Sequence, residues 1–225
     1  MANFQNIKPL TLKKEGGLSK ATTDTASKKP SPYVYKGVTG WHTNKGVTYP
    51  VFEAASKKFG FENNATNFIN MPDAIWDKIA KGLYWDNLNL DQLKSDGVAA
   101  QIFSWHWGAG SGWFPRVKRY LSSKGVEWNS KGSTLANALN QLIDKQGERQ
   151  TISDLDIQQK EYYTSLNQPA NIKGWLARIR ETTNLATSYI GNLYNQNKTA
   201  FNSGIVLGVV LLSVSAYLYI SKKNK

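Results

Sequence analysis

Helix punctuation governs this chain. Between Thr48 and Gly60 the apolar residues Tyr49, Phe52, Ala55 and Phe59 recur at helical spacing. Thr48 is placed to cap, Pro50 sits in the first turn, and Gly60 ends the run. The pattern returns along the chain. Pro72 precedes Ile75, Trp76, Ile79 and Leu83, and Ser95 precedes an apolar run from Val98 to Trp107 that Gly108-Ala109-Gly110 closes. Phe114, Val117, Tyr120 and Leu121 follow, with Pro115 in the first turn and Gly125 after the end. Ser133 caps 134–145, with Leu135, Ala138, Leu139 and Leu142 turned inward, and Thr151 opens a further helix. Residues 3–15 make a short helix carrying Phe4, Ile7 and Leu10, weakened by Pro9. The Val98–Trp107 run is apolar on nearly all sides, which marks a central buried helix. Such a chain folds mainly as α-helix. Residues 18–45, rich in Thr, Ser, Lys, Pro and Gly, break the pattern, and Val34, Tyr35, Val38 and Trp41 are the short strands expected there.

Composition narrows the chemistry. The chain has no cysteine, which excludes disulfides and thiolate metal sites. No phosphate-binding motif is present: Gly108-Ala109-Gly110-Ser111-Gly112 lacks the Lys-Ser/Thr ending. No metal-ligand cluster is visible, so neither metal nor cofactor is expected. His106, one of 2 His, stands between Trp105 and Trp107 and reads as a packed, hydrogen-bonded residue. The net charge of +12 favours polyanions, whether nucleic acid, anionic lipid or wall polymer. No nucleic-acid module accompanies it, so no specific nucleic-acid partner is expected. The 8 Trp and 11 Tyr fit sugar stacking, core packing and membrane interfaces alike.

The two ends differ. Met1–Lys14 has no apolar stretch of the secretory kind. Gly204–Ile220 carries no charge and is followed by Lys222, Lys223 and Lys225, a pattern that predicts a transmembrane helix with membrane lipid as partner. Residues 181–203 read as a polar stalk and 221–225 as a basic tail. The expected localisation is therefore a membrane, with a single pass through a C-terminal helix.

Glu15 stands directly before Gly16-Gly17. Paired glycines end a helix and turn the backbone sharply, which leaves the carboxyl facing whatever fills the turn. That suits a general acid if a cleft desolvates it. A solvated Glu beside a capping glycine is the plainer alternative, and spacing alone leaves both open.

Glu15-Gly16-Gly17, then Asp24, then Thr43, Gly46, Val47 and Thr48 together resemble glycoside hydrolase family 108, a family of lysozyme-like muramidases, many of them from phages. Tyr84-Trp85-Asp86 extends the likeness, and Gly174-Trp175-Leu176-Ala177-Arg178 resembles the peptidoglycan-binding half that accompanies the family. The resemblance implies a mainly α, lysozyme-like fold with a small β-element near the cleft. It implies a muramidase domain over 1–125, a helical peptidoglycan-binding-like half over 126–180, the stalk over 181–203, the span over 204–220 and the tail over 221–225. Glu15 is then the catalytic acid, with Asp24 or Thr43 placing a water or stabilising the oxocarbenium-like state. Trp41, Thr48, Tyr84, Trp85, Trp107 and Trp175 are the expected substrate-binding residues. Peptidoglycan is the expected partner, with other virion or lysis proteins beside it. The chain departs from the family at Trp41-His42, where Gly-Gly is usual, and at Ser104 and Gly108, where polar residues are replaced. Those departures leave open a second reading, a catalytically degenerate wall-binding or structural protein of a membrane.

Overall fold

The computed structural model describes residues 1–19, 27–128 and 134–190. Helix α1 (Phe4–Glu15) starts where the Asn3 side chain accepts from Gln5 N and stops at Gly16, whose φ of 62° is open to glycine. Its inner face, Phe4 and Ile7, is buried. The chain then enters a three-stranded antiparallel sheet of order β1-β2-β3, formed by Leu18–Ser19, Thr43–Asn44 and Val47–Thr48.

This sheet corrects the expected strands. Val34, Tyr35, Val38 and Trp41 lie outside it, and Tyr35 and Val38 form an isolated bridge around Lys36 (φ 51°) and Gly37 (φ 74°). The reason is burial: Val34 is 60% exposed and has no second layer to pack against. The true hairpin turns through Lys45 (φ 46°) and Gly46 (φ 75°), a two-residue loop with both φ positive. Buried Asn44 donates from Nδ2 to Phe68 O and Ile69 O, and Trp76 Nε1 donates to Lys45 O at 3.0 Å. These bonds fix the hairpin against α3 (Ala65–Ile69) and α4 (Asp73–Ile79).

Helix α2 (Tyr49–Phe59) has the expected limits, with Gly60 left-handed at its end; Thr48 flanks its start without a side-chain capping bond. Helix α4 runs on into a π-helical turn, Ala80–Trp85. At the centre is α5 (Asp96–Ala109), capped by Ser95 and buried at every residue from Gly97 to Phe103. Helices α6 (Phe114–Ser123), α7 (Leu135–Gln146) and α8 (Glu148–Ser165) follow, the last starting three residues before Thr151. A final helix, α9, occupies residues 169–190 of the described chain. Its Ile179, Thr182 and Ala186 are buried, so the segment read as a stalk from 181 is packed helix as far as 190. At Gly97 the approach is tight: a Cβ there would lie 2.6 Å from Ala186 O. One core of buried side chains runs from Ala2 to Ala186 and crosses the 125/126 boundary without interruption.

A partly buried clamp ties α6 to α8. Asp154 accepts from Tyr120 OH at 2.7 Å, Gln150 Nε2 at 2.7 Å and Gln146 Nε2 at 3.1 Å, with Lys124 Nζ 3.0 Å away. Burial alone would raise this carboxyl, but the donors outweigh it and hold it at about 2. A depressed folded value stabilises above the unfolded range, near 3.9, and that contribution is lost as pH falls toward 2. Asp154→Asn should therefore lower the melting temperature at pH 6 by more than at pH 2.5, a difference that thermal melts at the two pH values will read.

The membrane expectation is corrected. Among the described residues no helix is long and apolar enough to cross a membrane. The long helices α8 and α9 carry charges along their length, such as Glu148, Asp154 and Lys160 on α8 and Lys173, Arg178 and Glu181 on α9. Gly204–Ile220, on which the expectation rested, lies outside the described residues. A single-pass membrane localisation is not supported.

Candidate active site

Glu15 is the last residue of α1, and Gly16 swings the chain from it into β1. Lys45 N, in the hairpin loop, donates to Gly17 O at 3.4 Å, so the helix end and the β2–β3 loop are joined. The Glu15 carboxyl lies against Gly46: a Cβ on that glycine would come 2.4 Å from Oε2. On the other side Arg178 Nη1 donates to Oε1 at 2.7 Å. The Glu15 side chain is 10% exposed and the Arg178 side chain 31%. The carboxyl is thus enclosed by its own helix end, a bare hairpin glycine and an arginine from α9.

Arg178 is itself held. Lys14 Nζ donates to Arg178 O at 3.1 Å and to Thr182 Oγ1 at 3.2 Å, and pairs with Glu181 at 3.4 Å. Ser104 Oγ on α5 meets Thr182 Oγ1 at 3.2 Å. A hydroxyl of α5 thus helps to seat α9. Gly108 gives α9 room: a Cβ there would meet Tyr163 OH at 2.8 Å and Arg178 Nη1 at 3.9 Å. Tyr163 is pushed up to about 12, chiefly by burial, with Arg178 pulling the other way. Trp175 packs on Tyr163 with ring centres 4.9 Å apart.

The family model of Glycosyl hydrolase 108 matches residues 9–110. These residues form a glycosyl hydrolase 108 domain. The match over these residues supports a glycoside hydrolase of lysozyme type. Among curated proteins and among solved structures there is no match.

The glycosyl hydrolase 108 segment contains Glu15, Thr43, Gly46, Thr48, Tyr84 and Trp107, and it ends before Tyr163, Trp175 and Arg178. The last two of these stand in the Gly-Trp-Leu-Ala-Arg stretch, but the approach of Arg178 to Glu15 spans a separation of 163 residues and has no local signal. Thr43 and Thr48 face each other across β2 and β3, in the hairpin that carries Gly46. Asp24 lies outside the described residues. Trp41 belongs to the outer loop: its Nε1 donates to Val38 O and its ring meets Tyr35 at 6.2 Å. Trp107 and Tyr84 pack with tilted rings 4.7 Å apart, both half-buried, and Trp76 lies 5.3 Å from Trp107. They form an aromatic ledge next to Gly108.

Trp85 is a correction. It is 0% exposed, packs edge-on to Phe4 and Phe103, and donates from Nε1 to Asp91 Oδ1. Its ring has no open face for a sugar, so its work is in the core. Trp85→Ala should cost about 3–5 kcal/mol of stability in urea unfolding, where a surface tryptophan would cost little. His106 is packed as expected: 6% exposed, Nδ1 bonded to Gly110 O at 2.7 Å, and lowered by burial. Among the described residues no group of three His, Cys, Asp or Glu is placed to hold a metal ion.

Proposed function

We propose that this glycosyl hydrolase 108 domain cuts the glycan strand of peptidoglycan between N-acetylmuramic acid and N-acetylglucosamine, with Glu15 as the acid that protonates the leaving oxygen. The observation that carries this reading is the enclosure of the Glu15 carboxyl between Gly46 and Arg178. A proton donor must be held in one position and shielded from bulk water to act on a glycosidic oxygen. Arg178 is a positioning residue: it fixes the carboxyl while the site is empty. Thr43 or Asp24 is assigned to the water or to the oxocarbenium-like state. Tyr84 and Trp107 offer aromatic faces for sugar rings, and the excess of positive charge speeds encounter with an anionic wall in a salt-dependent way.

A zymogram tests the proposal. The full chain, renatured in a gel loaded with purified peptidoglycan, should clear a zone at its own mass. Binding to the embedded wall without clearing would instead select the degenerate, wall-binding reading.

A further inference from the structure

A groove of about 650 Å³ runs between α1 and α9, lined by Leu10, Lys13, Lys14, Ala177, Arg178 and Glu181. Three of these side chains are cations and one is an anion, so the groove is electropositive. Lys14 has its donors committed to Arg178 O, Thr182 Oγ1 and Glu181. Lys13, one residue along, is exposed and among the described residues makes no ion pair. Arg178 uses one Nη1 bond on Glu15, and a guanidinium carries further N–H donors in the same plane. Burial lowers Lys14, although the neighbouring Glu181 pulls the other way.

We infer that this groove is a carboxylate subsite, filled by the peptide stem of peptidoglycan, in which Lys13 and Arg178 bind the stem's anionic group. The inference rests on the muramidase reading and deepens it. Arg178 is shared: it lines the groove and pairs with Glu15. The stem hangs from the muramic acid at the scissile bond, so an anion site that shares an arginine with the catalytic acid is within its reach. Occupation then has a chemical consequence. When the stem carboxylate takes over Arg178, the Glu15 carboxyl is released from its bond to the guanidinium and is free to reach the glycosidic oxygen. Substrates that carry stems would thereby switch on the acid, and bare glycan would do so poorly.

Two arms test this. In the first, hydrolysis is compared on glycan chains with their stems and on the same chains after an amidase has removed them. Lys13→Glu should lower the ratio of kcat/KM on stem-bearing to stem-free chains by about fivefold, the scale of one partly exposed charge pair. An unchanged ratio would overturn the subsite. In the second arm, a soluble stem tetrapeptide is titrated into the full chain by calorimetry. Glu15→Gln weakens the internal competitor for Arg178 and should tighten peptide binding several-fold, and adding Lys13→Glu should reverse the gain. No peptide binding to any variant, or a preference for inorganic phosphate over the peptide, would overturn the assignment. This arm needs no turnover, so its failure is distinguishable from failure of the muramidase reading.

Discussion

Glu15→Gln should reduce the release of glycan fragments by about 100- to 10,000-fold, the usual worth of general acid–base catalysis. The amide keeps the volume of the side chain and can still accept from Arg178 Nη1, so the bond to α9 survives in weaker form. It has no proton to donate to the leaving oxygen. Far-ultraviolet circular dichroism and the melting temperature should stay close to the native values, since the change weakens a single charge pair whose arginine is partly exposed. An activity loss of less than tenfold, with the fold intact, would remove Glu15 from the mechanism.

Gly46→Ala should be nearly as damaging to hydrolysis, for a geometric reason. Gly46 has a φ of 75°, and the added Cβ would lie 2.4 Å from Glu15 Oε2 and 2.8 Å from Cδ. The carboxyl must move to make room, and a shift of about 1 Å in a catalytic group costs roughly 100-fold. Gly37→Ala is the matched control. Its φ is 74°, and nothing stands within 4 Å of its would-be Cβ. Both variants carry the same left-handed strain of about 1–2 kcal/mol, so both should unfold at lower urea concentration. Gly46→Ala alone should lose most of its activity. Equal activity in the two variants would mean that the hairpin glycine does not set the position of Glu15.

Legibility in the sequence followed the range of the interactions. The limits of α2 were readable because proline, periodic aromatics and Gly60 lie within one helix. The end of α1 was readable because Gly16 supplies the positive φ directly beside Glu15. The buried centre of α5 was readable from its unbroken apolar run. The strands were misplaced because the β-prone Val34, Tyr35 and Val38 stay exposed, while the real sheet is built from two-residue strands beside the Lys45-Gly46 turn. Trp85 and Trp107 look alike in sequence, but Trp85 ends the π-helical turn Ala80–Trp85, which no local pattern announces, and is fully buried there. The partner of Glu15 was hidden for the same reason. Arg178 reaches it through the packing of α9 on α5, by way of Gly97, Ser104 and Gly108, and each of those residues reads as an ordinary small residue in isolation.

Everything proposed for Glu15 turns on which bond is cut. Mass analysis of fragments released from purified peptidoglycan by the full chain, after borohydride reduction, decides it. A muramidase leaves fragments whose reduced end is muramitol, and these should be absent when Glu15→Gln protein is used. Reduced ends at glucosaminitol, or fragments freed by cleavage within the peptide stems, would contradict the assignment.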